Sequence, residues 1–365
     1  MTKFKKRLAI ILAVHFALLL VLLGYYSYWN AAPPDRTCMS CHEIEQSYNM
    51  WASSAHRDIN CIECHGTALS NGIHSLREKM RMIFRHFSRD FYDDISLNEE
   101  QVLAMNQTCR KCHQSEYAAW RSGGHAVDYA RIFLDDKQNS SEQLNHDCLR
   151  CHGMFYEGDI YSLVEPVSIE GPWHLKEPGK AGHTTIPCLA CHSIHDQGKP
   201  LMAFEYRRAD SAHYDRLSRE GISYGNHSDR YSKAGFYDRN ERMFFNASVL
   251  PKPVMWDGER QLTVSDDPLM RLCIQCHAPN VWHQAGTMDD RTPTGVHEGI
   301  SCLACHDSHS NSAVNACIKC HPGTSNCGLD VMTMNTTYAF RDSPNNIHFV
   351  SCADCHEGQR PVTGN

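Results

Sequence analysis

Nine times along this chain two cysteines stand two residues apart with a histidine directly after the second. The nine sets are Cys38, Cys41 and His42; Cys61, Cys64 and His65; Cys109, Cys112 and His113; Cys148, Cys151 and His152; Cys188, Cys191 and His192; Cys273, Cys276 and His277; Cys302, Cys305 and His306; Cys317, Cys320 and His321; and Cys352, Cys355 and His356. Two thiols at that spacing can reach the two vinyl carbons of one porphyrin, and the adjoining imidazole then falls under the iron as its proximal ligand. The pattern therefore predicts nine covalently bound haem c groups. Structural zinc is the competing use of paired cysteines, but it does not require a histidine beside the second one. With 24 histidines in 365 residues, nine such neighbours arising by chance come to on the order of 10⁻¹¹.

Haem use leaves one cysteine of nineteen, Cys327, so disulfides are not the framework. Covalent haem attachment takes place outside the bacterial cytoplasmic membrane, which sets the compartment expected for everything after residue 30. The formal charge is −7 before any cofactor is counted. Propionates from nine haems, offset by nine ferric centres, carry it to about −16, a balance that disfavours nucleic acid as a partner.

Histidines outside the nine sets are the natural sixth ligands, because neutral imidazole on both faces suits iron in both oxidation states. Tyr48, Trp51, Ser53 and His56 share their spacing with Tyr117, Trp120, Ser122 and His125, which selects His56 and His125. His183 and His195 flank one set at the offsets at which His297 and His309 flank another, and His348 lies four residues before Cys352. These seven are the candidate distal ligands. Fourteen non-proximal histidines outside the apolar amino-terminal run are enough for nine distal positions, so counting leaves an open iron undecided.

The elements that must position these groups follow from how densely they are placed. After residue 37 each haem has only about 36 residues of chain to itself, so porphyrin replaces much of an ordinary core. The fold class expected is short helices and loops around a covalent multihaem core, with one amino-terminal transmembrane helix. Lys3, Lys5, Lys6 and Arg7 precede Leu8 to Trp29, which carries no Asp, Glu, Lys or Arg and ends in an aromatic cluster. That run can span a bilayer with its basic end in the cytoplasm. A retained anchor is expected over a signal peptide cleaved before Pro33, and His15 within it reads as a neutral packed side chain.

Ile73, Leu76, Met80, Ile83, Phe84 and Phe87 recur at helical spacing, with Arg77, Arg81 and Arg85 on another side. Such a helix either packs on haem or lies on anionic headgroups. Residues 197–270 hold no cysteine. They include a hairpin signal near 254–264, around Asp257-Gly258, and read as scaffold, although His213 and His227 lie among them.

Order and local sequence carry a resemblance. The anchor, CMSCH at 38, the SSAH before CIECHG, the SLREKMRMIF helix, EQVLAMNQTCRKCH and CLRCHG at 148 resemble the NapC/NirT/NrfH family of membrane-anchored tetrahaem quinol dehydrogenases, over residues 1–155. Ile44 stands where many members carry methionine, and the interval from His125 to Cys148 is longer than the family pattern. The resemblance implies oxidation of menaquinol or ubiquinol beside the membrane, and Lys79 resembles in position a lysine of the family's quinol pocket. The organisation expected is an anchor (1–34), a tetrahaem region (35–160) and a five-haem extension (161–365). Electrons would pass from quinol, through a protein seated in membrane lipid, to a periplasmic or outer-membrane redox partner. Two alternatives belong to other classes. One is a terminal reductase of a small nitrogen or sulfur oxyanion at an open haem, against which the absence of any Cys-x-x-Cys-Lys counts. The other is a haem filament subunit, against which a retained anchor counts.

Overall fold

The uncharged run after the basic amino terminus forms one helix, Lys3–Ala31, exposed except for half-buried Tyr26, Trp29 and Asn30 near its end. Its 29 residues extend roughly 43 Å at 1.5 Å per residue, long and apolar enough to cross a membrane. The computed structural model describes residues 3–40, 44–67, 69–70, 76–88, 97–139, 144–166, 173–195, 234–252, 254–277, 292–314, 316–317 and 348–350. Cys41, His42, Ile73, His213, His227, Cys320, His321, Cys327, Cys352, Cys355 and His356 lie outside them. Contacts divide the chain into two units, residues 1–97 and 98–365.

In the first unit the helices Glu45–Ala52, Cys61–His65 and Leu76–Ser88 follow the long one. Asn60 starts Cys61–His65 by accepting the Ile62 N–H at 3.2 Å, and Gly66 ends it at φ 75°, a conformation glycine adopts without steric cost. The second motif thus sits on a single helical turn. Leu76, Met80, Ile83, Phe84 and Phe87 form the expected stripe on Leu76–Ser88, and all five are exposed. Among the described residues of this unit, Ala32 is the one apolar side chain that is fully buried.

The second unit has a protein core of its own. Helix Glu99–Arg110 opens on a reciprocal cap, with Asn98 accepting the Gln101 N–H at 2.9 Å and Gln101 accepting the Asn98 N–H at 3.1 Å. It runs directly into Cys109. Helices Gln114–Ser122, Tyr129–Phe133, Leu149–His152 and Ile160–Leu163 follow. Tyr129, Phe133, Leu149, Ile160, Leu163, Val164, Trp173 and Leu175 pack together, closed by antiparallel β1 (Val164–Pro166) and β2 (Trp173–Leu175).

Further on, β3 (Gly235–Asp238) and β4 (Met243–Asn246) pair antiparallel, and Phe236 and Leu250 pack against Ala190 and Met154, with Cys191 and Cys276 at the edge. The expected hairpin is present as β5 (Trp256–Asp257) and β6 (Arg260–Gln261), turning through Gly258 at φ 61°. Helix Pro268–His277 carries the sixth motif, and Cys302–Cys305 carries the seventh behind a Ser301 cap. Two parallel residues of β7 (Thr294–Gly295) and β8 (Phe349–Val350) bring His348 beside this region.

Candidate cofactor site

The repeated Tyr-x-x-Trp-x-Ser-x-x-His spacing is a repeat of geometry as well as of sequence. Tyr48 and Trp51 lie 5.5 Å apart between ring centroids at 45°, and Tyr117 and Trp120 lie 5.4 Å apart at 50°. Ser53 and Ser122 each donate to a carbonyl three residues back. Trp51 donates its indole N–H to the Ile59 carbonyl at 3.1 Å, and Trp120 donates to the Ile186 carbonyl at 3.1 Å. Each acceptor stands two residues before a Cys-x-x-Cys-His set. The sulfurs agree with this grouping, for that of Cys38 lies against Cys61 and that of Cys109 against Cys188. Two further thiol contacts, Cys151 with Cys276 and Cys273 with Cys302, join the fourth, sixth and seventh sets.

Histidine rings from distant segments face each other in the second unit. His125 faces His277 at a centroid distance of 6.2 Å and 37°, His309 faces His192 at 6.1 Å and 20°, and His348 faces His306 at 5.9 Å and 18°. In each pair one ring belongs to a Cys-x-x-Cys-His set and the other is an expected distal histidine. Burial, with His277 and His309 nearby, pushes His125 down to about 4. Burial, with His277 nearby, pushes His152 down to about 4. Both imidazoles are therefore neutral at pH 7, the form that ligates metal.

Residues 108–193 and 255–307 match the family described as cytochrome c554 and c-prime. Those stretches contain the third to seventh Cys-x-x-Cys-His sets. The chain is a multihaem c-type cytochrome. No curated protein and no solved structure matches the cytochrome. The matched residues overlap those that carry the tetrahaem quinol dehydrogenase resemblance only from 108 to 155.

The side chains present fit haem iron. An iron–nitrogen bond of about 2 Å on each side, plus about 1.1 Å from nitrogen to ring centre, requires trans imidazole centroids roughly 6 Å apart. All three facing pairs have that separation. Among the described residues no three His, Cys, Asp or Glu side chains converge as a closed metal site made of protein ligands would need. Porphyrin supplies four nitrogens itself, so two imidazoles suffice. Beside the third set an open groove of about 840 Å³ is lined by Arg110, Lys111 and Arg121 together with Tyr117, a basic surface suited to carboxylates.

Other expected ligands are placed differently. His56, His195 and His297 are half-buried in their segments. His183 directs Nδ1 toward Glu99 Oε1, 3.4 Å away. Glu99 also accepts from Tyr129 Oη at 2.5 Å and from Lys180 Nζ at 2.9 Å. Burial, with Glu99 beside it, pushes the Tyr129 hydroxyl pKa well up, so it stays a donor. Sequence reading passes over Glu99 because its partners stand at 129, 180 and 183. Acidic residues in the first turn of a helix are ordinary. Lys79 holds Nζ 4.4 Å from the Trp29 ring centroid, at the aromatic end of the long helix.

Proposed function

We propose that this cytochrome is anchored in the membrane by Lys3–Ala31, carries nine haems, and passes electrons from quinol to a periplasmic or outer-membrane acceptor. One observation carries the reading. The Lys79 ammonium stacks on Trp29 at the end of the spanning helix, nine residues before Cys38 of the first haem-attachment motif. Lysine, membrane boundary and first motif therefore coincide, where a lipid-soluble donor must react. The exposed apolar stripe from Leu76 to Phe87 supports the same arrangement, because an unburied stripe beside Arg77 and Arg81 suits a helix lying at the headgroups.

Bound haem supplies one-electron acceptors whose potentials are set by ligand, burial and nearby charge. The chain's own residues do the rest. Lys79 holds a quinol oxygen by a charge-assisted hydrogen bond and stabilises the negative charge that develops on that oxygen as its proton leaves to solvent. Oxidation to the quinone releases two protons and two electrons, and the electrons leave one at a time. Trp29, Tyr25, Tyr26 and Tyr28 keep this end of the helix at the interface.

The test is anaerobic mixing of the detergent-solubilised protein with menaquinol, following haem reduction in wild type, Lys79→Ala and a variant lacking residues 1–30. Reduction of Lys79→Ala is expected to slow at least tenfold, and the truncated protein to lose reduction from quinol-loaded vesicles. Equal rates in all three overturn the quinol assignment. A normal rate in Lys79→Ala alone removes the lysine from it.

A further inference from the structure

Three of the histidine pairs meet around one turn, Asp307–Asn311. The Asp307 carboxylate closes the turn by accepting the backbone N–H groups of His309 at 3.1 Å and Ser310 at 2.8 Å. Asn311 ends it at φ 59°, a left-handed conformation that asparagine tolerates better than most residues. Its carbonyl lies 2.8 Å from His306 Nδ1. A carbonyl can only accept, so Nδ1 carries the proton and Nε2 is left for iron, the usual support of a ligating imidazole.

The Asn311 side chain meets the other side of the junction. Its Oδ1 accepts the His125 backbone N–H at 3.3 Å, and its Nδ2 rests against the nitrogen edge of the His125 ring, 3.0 Å from Nδ1 and 3.2 Å from Nε2. Close approach of the two segments depends on Gly123, where an added Cβ would stand 2.4 Å from the Ser310 carbonyl oxygen. The turn thus braces His125, which faces His277, while its own His309 faces His192. The first matched stretch lends His125 to a proximal histidine of the second, and His309, two residues past the second, faces a proximal histidine of the first.

We propose that Asp307–Asn311 is a shared ligand hub for three haems, with His125 and His277 on one iron, His309 and His192 on a second, and His348 and His306 on a third. Asn311 is the positioning residue that holds His306 and His125 together. The inference rests on the multihaem reading and not on the quinol donor. It means that none of these irons acquires its sixth ligand from its own attachment segment, so full ligation of any of the three awaits the long-range fold.

The experiment uses the haem-loaded full chain as wild type, His125→Met, His309→Met, the double variant and Asn311→Gly. Each Met variant is expected to lose one bis-imidazole low-spin signal in the electron paramagnetic resonance spectrum of the oxidised protein. One haem should rise in potential, since a thioether ligand favours the reduced iron. Haem mass per chain should stay unchanged, and the double variant should lose two signals. Asn311→Gly keeps the left-handed turn and its carbonyl but removes the amide, so it should shift the His125 haem and leave the His309 signal in place. Unaltered signals in either single variant overturn the hub. Should a variant fail to accumulate, axial ligands traced in an experimental structure of the loaded wild type decide it, and a different ligand opposite His277 or His192 overturns it. Wild-type reduction by quinol is indifferent to this outcome, so the two readings fail separately.

Discussion

The two units build the same piece by opposite routes. In residues 1–97 the tyrosine, tryptophan and serine sit just ahead of the set they support, so Trp51 reaches the Ile59 carbonyl across eight residues. In residues 98–365 the same geometry needs Trp120 to reach Ile186 across sixty-six. The fourth attachment set lies inside that interval. What repeats is therefore the packing, not the connectivity. Loop closure over the longer separation costs about 2 kcal/mol more. The second unit has the means to offset it, a core of Tyr129, Phe133, Leu149, Ile160 and Trp173, whereas the first buries only Ala32 among its described apolar side chains. A tight local module can lean on its cofactors; a long-range one needs protein to hold its ends together.

The sharpest test of that contrast compares the two tryptophans. Trp120 is 7% exposed, and Trp120→Ala is expected to cost about 3–5 kcal/mol. Trp51 is only half-buried, so Trp51→Ala should cost clearly less. Hydrogen exchange on the loaded protein, read separately for each unit, measures both, and equal losses would break the comparison.

Leu149→Ala removes a fully buried side chain next to Cys148 and should open the second unit by about 2–5 kcal/mol while exchange in residues 1–97 is unchanged. Spread of the effect into the first unit would show that the cores are not separate.

The smallest expected difference lies at the helix caps. Asn98→Ala loses the 2.9 Å side-chain bond of a reciprocal cap, keeping its backbone N–H for Gln101, and should cost about 1 kcal/mol of second-unit stability, whereas Asn60→Ala loses a longer bond of 3.2 Å on a single helical turn and should fall near the lower end of about 0.5–2 kcal/mol. Thermal unfolding of each variant against wild type checks the order.

Much of this protein is legible residue by residue. Cys-x-x-Cys-His is a local motif whose chemistry depends only on covalent spacing, so the expectation of haem attachment and proximal histidines needs no fold. A long uncharged run of apolar residues favours one continuous helix, and Lys3–Ala31 is long and apolar enough to cross a membrane. Asp257-Gly258 announces its hairpin because the turn needs a residue at positive φ. The β3–β4 hairpin escapes notice, since GFYD and MFFN lack alternation and their turn is closed by the Asp238 side chain accepting the Asn240 and Glu241 N–H groups.

Ring pairing is the part that only the tertiary structure decides. His125, His309 and His348 stand out in the sequence as spare histidines, but nothing local assigns them to His277, His192 and His306. Their choice depends on Gly123 admitting the Ser310 carbonyl, on Asn311 holding a left-handed turn, and on two parallel residues bringing His348 alongside Thr294. An imidazole binds any iron it can reach, so its chemical type says what it does while the packing of distant segments says for which iron.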